Sequence, residues 1–417
     1  MPYYQARPET GPRVPDLERA APFIAMVCFV LFSQGLESFI GREISMTLMG
    51  RMTLVMTFAT SFVMCAMALR FRPRVFLFTL WVNLPFQLYS LIALASTAWS
   101  TSPSNTLKSS ILLIAFHLIG TSMASMCSWR AIWKGLAMAI LLLAFLSVLV
   151  IPFGGIMDHT HPGAFRGLWL EKNATGEAFA VGAIACTIVG VADRNPLFGI
   201  GTLFLIGLLL LTGSAGALAT SVLAICAFFF VEAIRRGPVR FFLGSWFAII
   251  VIGAVVALLI GMGLNAAELL GRETNLTGRT QIWPTIVEFI QNRPMLGYGF
   301  QAFWVEGSAT KTQVMHDANF EAFNAHNAYL EMMLAFGMFG SFFLWASILR
   351  AILQASSAVF GSNGARRYVL AFFVFALILS LTESMLGDAA GVTAFVLGVM
   401  VPKTALGFAQ AKGRFRH

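Results

Sequence analysis

Charge is scarce in this sequence. Only 11% of its 417 residues are charged, while 58% are hydrophobic; a soluble globular protein carries roughly 25% charged residues. Such a chain cannot cover a water-facing surface, which excludes a soluble globular class. Cysteine is also sparse. Cys28, Cys65, Cys127, Cys186 and Cys226 all lie in or beside apolar runs, so neither a disulfide framework nor a Cys-based zinc site is suggested. No repeat of 20 to 50 residues, low-complexity tract or glycine-rich phosphate-binding loop is present. The segment Met1 to Ala20 has no small-residue cleavage site after the first apolar run, so the first span is expected to be retained.

What is present is a succession of apolar windows long enough to cross a bilayer, which takes about 20 residues each. They fall near 22–40, 46–69, 75–96, 107–126, 133–152, 174–191, 197–212, 215–233, 241–263, 327–349, 368–386 and 389–410. The reading is an all-α integral membrane fold of about twelve transmembrane helices. The uncharged run from Leu197 to Val231 is divided at Gly213-Ser214-Ala215-Gly216, because two short helices keep Arg194 and the cluster Arg235, Arg236 and Arg240 on one side.

The net charge of +9 would direct a soluble protein towards nucleic acid, but here the basic residues fall between spans and no nucleic-acid partner is expected. With both termini inside, 19 of the 28 Lys and Arg residues lie on the inner side, as the positive-inside bias requires. The organisation that follows is a cytoplasmic tail (1–21), nine spans (22–263), one long non-cytoplasmic loop (264–325), three spans (326–410) and a cytoplasmic tail (411–417).

The spans are poor in charge and show neither inverted repeats nor evident breaks, which disfavours a transporter. Polar groups gather outside, in 153–173 and in the long loop. That loop carries Trp283, Phe289, Phe300, Phe303, Trp304, Phe320 and Phe323, too many aromatics for a disordered connection. A short helix is expected to open at Arg279, with Pro284 in its first turn, and to close at Arg293-Pro294. His326 and Asn327 stand where the next span begins. A helix N-terminus disfavours imidazolium, so His326 is a candidate proton acceptor, with capping of the helix by His326 and Asn327 as the plain alternative.

Arg166, with Lys172 and Asn173 nearby, places cationic donors where an anion would meet the membrane surface; interfacial snorkelling is the competing reading. His117, in an apolar span, reads as a hydrogen-bonded packing residue. Asp158, His159 and His161 lack a fourth ligand, so no metal is expected. Asn173-Ala-Thr175 and Asn275-Leu-Thr277 match a glycosylation pattern too short to carry weight.

Taken in order, these residues resemble the O-antigen ligase and polymerase family. The resemblance rests on Gly278-Arg279 to Trp283, Arg293-Pro294 to Gly297-Tyr298-Gly299-Phe300, and His326-Asn327 with Gly337 and Gly340. Arg166-Gly167 to Asn173, and Ala98-Trp99-Ser100 with Pro103, resemble the family's shorter outer loops. Among subfamilies the set looks most like the ExoQ-type exopolysaccharide production proteins, although arginines are sparse early in the long loop, which leaves polymerase against ligase open. The resemblance implies a bacterial inner-membrane glycosyltransferase of the GT-C type that needs no cofactor. Its substrate would be an undecaprenyl-diphosphate-linked oligosaccharide presented at the periplasmic face. Chain-length-regulating and export proteins would be its partners. On that reading Arg166 and Arg279 bind the diphosphate with Lys172 and Asn173 in support, His326 is the base or orients the acceptor with Asn327 beside it, and Trp283 is placed to stack on sugar.

Overall fold

The computed structural model describes residues 15–43, 46–151, 163–235, scattered positions between 237 and 253, 279–359, 364–386 and 391–413. These residues form helices and no extended strand. In chain order they are α1 (Pro15–Phe32), α2 (Gly35–Glu43), α3 (Met46–Phe71), α4 (Pro73–Val82), α5 (Leu84–Ala95), α6 (Pro103–Met126), α7 (Trp129–Leu149), α8 (Lys172–Asp193), α9 (Pro196–Thr212) and α10 (Ala215–Arg235). After the long loop begins come α11 (Arg279–Asn292), α12 (Ala309–Ala318), α13 (Ala328–Ser356), α14 (Val369–Leu379) and α15 (Val392–Ala411). Seven described helices are long and apolar enough to span a membrane, and α4 with α5 makes an eighth if the bent pair is one span. The protein is a helical integral membrane protein. Most of the span expected at 241–263, the loop start at 264–278 and the group Asp158, His159 and His161 lie outside the described residues.

Helices in lipid gain little from burying apolar surface against one another, so close backbone approach has to hold them. Small residues supply it. A Cβ on Gly120 of α6 would overlap the Gly398 carbonyl of α15, and one on Gly135 of α7 would lie 2.5 Å from Ala25 Cβ of α1. Gly213, at φ +62°, ends α9, and α10 begins two residues later at Ala215, where the expected turn falls. His117 packs as read, its Nδ1 bonded to Ser90 Oγ and its ring 4.1 Å from Phe86.

Several spans depart from continuous helices. The first expected span breaks at Ser33 and Gln34, and the third bends by 74° at Asn83. Pro85 explains the second break, since it has no N–H to give the Trp81 carbonyl four residues back and its ring would clash with that carbonyl. Helix α14 stops at Leu379, so the 368–386 window ends in loop. Within α13, Gly337 is non-helical at φ 57° and ψ −157°. That the spans are unbroken is therefore wrong, and hydropathy could not show it because each break falls inside an apolar window.

The break at Gly337 is filled by protein. Tyr298 N–H and Gly299 N–H donate to the Leu334 and Ala335 carbonyls at 2.7 and 3.0 Å, while Met338 and Phe339 N–H donate to the Pro294 and Met295 carbonyls at 2.8 and 3.1 Å. Unpaired backbone groups are costly inside a membrane, and here the segment 294–299 takes up those that the break releases. Glycine is required on both sides: a Cβ on Gly297 would sit 2.5 Å from the Leu334 carbonyl oxygen, and one on Gly337 would overlap the Met295 carbonyl carbon. The 96–101 segment clamps the joint, with Trp99 Nε1 on the Leu296 carbonyl at 2.9 Å, Thr101 N–H on the Tyr298 carbonyl at 2.9 Å and Phe300 N–H on Ser96 Oγ at 3.0 Å.

Candidate functional site

The described part of the long loop folds around its own small core, in which Ile282, Ile286, Tyr298, Phe303, Val314, Ala322 and Ala325 pack on Leu334 of α13. The Tyr298 hydroxyl donates to the Phe289 carbonyl at 2.9 Å; burial raises its pKa, against the pull of Arg293. Helix α11 is described from Arg279 to Asn292, and Pro284 lies inside it rather than in its first turn. From α11, Trp283 Nε1 donates to the Ala325 carbonyl at 2.9 Å, which fixes the helix one residue short of His326. The indole edge is thus committed to the loop. Arg279 stands one turn earlier on the same helix.

His326 and Asn327 do different jobs. Asn327 is the helix cap, its Oδ1 accepting from Tyr329 and Leu330 N–H at 3.0 and 3.2 Å. His326 caps nothing. It holds a left-handed φ of +48°, stabilised where its N–H donates to Asn324 Oδ1 at 2.8 Å.

The segment after α14 grips this corner from the other side. Ser380 carbonyl accepts from Ala328 N–H at 2.9 Å, Ser384 Oγ accepts from Asn327 N–H at 3.2 Å, and the Leu381 carbonyl accepts from Asn327 Nδ2 at 3.2 Å. The same segment carries Glu383, whose Oε2 is 3.7 Å from His326 Nδ1, with the two side chains 13% and 27% exposed. That separation is an ion-pair distance and longer than a hydrogen bond; Nδ1 is buried with no hydrogen-bond partner among the described residues.

Arg166 belongs to the loop before α8 and is only 6% exposed. A snorkelling arginine would reach into the headgroups; this one donates Nη1 to the Leu170 carbonyl at 3.3 Å. Its own carbonyl accepts from Thr175 Oγ1 and from Trp169 N–H. The loop is pinned on three sides, by Trp169 Nε1 to the Ser33 carbonyl at 2.7 Å, Leu168 N–H to Ser147 Oγ at 3.3 Å and Phe165 N–H to the Leu211 carbonyl at 3.0 Å. Lys172 and Asn173 follow as the first two residues of α8, both half-buried.

A chain of contacts joins this loop to the histidine corner. Gly176 of α8 abuts Ser214, where an added Cβ would sit 2.7 Å from the serine Cβ, and Gly216 of α10 lies against Thr382, next to Glu383. Arg166, Lys172, Asn173, Glu383, His326, Asn327 and α11 therefore occupy one end of the bundle. Sequence reasoning missed Glu383. The signal was a carboxylate inside the apolar 368–386 window, since ionisable groups in spans are costly and usually functional.

Residues 200–345 match the model of the O-antigen ligase family. The resemblance read from the motifs is borne out. The matched stretch includes Arg279, Trp283, His326, Asn327, Gly337 and Gly340, and it excludes the Arg166 loop and Glu383. The chain is also similar to the exopolysaccharide production protein ExoQ of Rhizobium meliloti strain 1021, at 24% identity over 280 residues, a match covering 63% of this chain and 63% of the relative. The similarity thus spans less than two thirds of that relative's length. Both likenesses point to the O-antigen ligase and exopolysaccharide production proteins.

Proposed function

We propose that the protein polymerises oligosaccharide repeat units carried on undecaprenyl diphosphate into exopolysaccharide, at the periplasmic face of the bacterial inner membrane. The observation that carries this reading is His326. It stands at the family's motif histidine, it is neither a cap nor a core residue, and its Nδ1 faces the Glu383 carboxylate. A histidine whose Nδ1–H is directed at a carboxylate presents Nε2 as the proton acceptor. In the step proposed, an acceptor sugar hydroxyl attacks the anomeric carbon of the lipid-linked donor. The new carbon–oxygen bond forms as the bond to the diphosphate oxygen breaks, the hydroxyl proton passes to His326 Nε2, and undecaprenyl diphosphate leaves with the bonding electron pair. Arg166 and Arg279 offset the charge that develops on the diphosphate, with Lys172 and Asn173 near the α8 N-terminus, where the helix dipole favours anions.

The second reading, a ligase that passes a finished glycan to a different acceptor, is favoured by the family description. Transport is a weaker reading. Broken helices in transporters line a substrate cavity, whereas the break at Gly337 is filled by the 294–299 segment. The size and sidedness of lipid-linked glycans in cells lacking the protein separate the three. Loss of a polymerase leaves single repeat units on the lipid at the outer face, the expected result. Long lipid-linked chains would indicate a ligase, and single units trapped inside would indicate a transporter.

A further inference from the structure

The break in the first span carries a residue that its backbone does not explain. Gln34 stands between α1 and α2 at φ +64°, in the left-handed region. Glycine enters that region freely and would close α1 without strain, whereas a residue with a Cβ is strained there. Such strain clusters at functional sites, and His326 holds the same conformation.

Polar contacts fix the break in place. The Ser33 carbonyl accepts from Trp169 Nε1 at 2.7 Å, Ser33 Oγ donates to the Val30 carbonyl at 3.1 Å, and Ser38 N–H donates to the Gln34 carbonyl at 2.9 Å. A Cβ on Gly35 would stand 3.1 Å from the Trp169 ring. Trp169 lies on the loop that carries Arg166, so the backbone around Gln34 is tied to the segment proposed to hold the diphosphate. On its other side, Gln34 Oε1 lies 3.8 Å from where a Cβ on Gly391 would be. Gly391 caps α15, whose first turn is held to α8 by Thr393 N–H donating to Glu177 Oε1 at 3.1 Å. Glu177 is about one helical turn from Asn173.

These bonds use the Ser33 and Gln34 backbone or the serine hydroxyl. The Gln34 amide makes no hydrogen bond among the described residues and is partly exposed. An amide offers both donors and an acceptor, without charge. Diphosphate oxygens only accept, which would leave its carbonyl unused. Sugar hydroxyls both donate and accept, so they match both ends of the amide.

We propose that Gln34 is a further donor-binding residue, its amide reading hydroxyl groups of the sugar joined directly to the diphosphate. The inference rests on the glycosyl-transfer reading, with the diphosphate at Arg166.

The test uses the purified full-length protein in detergent and lipid-linked glycan extracted from cells lacking the protein. Saturation kinetics are measured with that glycan, and inhibition with undecaprenyl diphosphate bearing no sugar. Gln34→Gly removes the amide and relieves the positive φ, so the unfolding temperature should hold or rise. Its KM should rise about tenfold, the worth of one or two neutral hydrogen bonds, with kcat little changed, as for a lost binding contact. Inhibition by the sugar-free lipid should be unaltered. A residue that only braced the break would give the opposite pattern, a lower unfolding temperature and equal weakening of both lipids. That pattern, or an unchanged KM, would overturn the assignment. Gln34→Asn tolerates the left-handed backbone and withdraws the amide by one methylene; it should show the same selective rise in KM if the glycine variant does not fold. Wild type that turns over no lipid-linked glycan would sink the transfer reading itself, whereas a normal KM in an active variant sinks only the role of Gln34.

Discussion

At the scale of single residues, the neighbours His326 and Asn327 divide two roles that sequence spacing left joined. Removing the cap with Asn327→Ala should cost about 1 kcal/mol of stability, visible as a lower unfolding temperature in detergent. His326→Gln keeps hydrogen-bonding capacity but no base, so turnover of purified lipid-linked donor should fall at least 10²-fold, the usual contribution of a general base. Activity within about tenfold of wild type would leave His326 as a positioning group. Glu383→Gln keeps the shape and removes the charge facing Nδ1; it should lower turnover with little effect on donor binding. Arg166→Lys should lose most activity at normal protein level, because lysine cannot reproduce a two-pronged contact with phosphate. Near-wild-type yield would return Arg166 to a loop-bracing role through Leu170. His326 was legible because Asn327, Gly337 and Gly340 follow it in one continuous stretch of sequence. Glu383 was not, because its relation to His326 is made by packing across 57 residues of chain.

At the scale of elements, the joint at Gly337 explains why glycine, tyrosine and tryptophan recur in motifs far apart in the chain. Trp99, Gly297, Gly299 and Gly337 meet where one broken helix borrows hydrogen bonds from a loop. The sequence disclosed these residues as an ordered set but not as one contact, since nothing local in Gly337 says that its helix opens. Two glycine substitutions separate conformational strain from this joint. At Gly213, positive φ with open space around the Cβ position, alanine should cost about 1–2 kcal/mol. At Gly337, where φ 57° with ψ −157° is a conformation essentially confined to glycine and is joined by overlap with Met295 and by four hydrogen bonds at risk, alanine should cost at least about 3 kcal/mol or prevent folding. Unfolding midpoints of the two variants in one detergent compare them directly. Similar losses at both sites would mean that the joint relaxes around a methyl group.

At the scale of the whole molecule, helix composition was readable because a long apolar run in a bilayer can satisfy its backbone polar groups within itself only as a helix, and the two ends of the bundle could be told apart by charge. The structure groups the histidine corner with the Arg166 loop at one end of α13, and Arg350, Arg366 and Lys412 at the other. Positive residues favour the cytoplasmic side, so the histidine end is expected to face the periplasm, where a lipid-linked donor already carried across the membrane would meet it. Thiol labelling in a background lacking the five native cysteines decides the orientation. Gln313 is exposed on α12 and Ser356 is exposed at the end of α13, so cysteines there report opposite ends without disturbing a buried contact. In spheroplasts an impermeant reagent should label Gln313→Cys, and should reach Ser356→Cys only after the membrane is permeabilised. The reverse pattern would place His326 in the cytoplasm, where the donor has not yet crossed, and would remove the basis for polymerisation at the outer face.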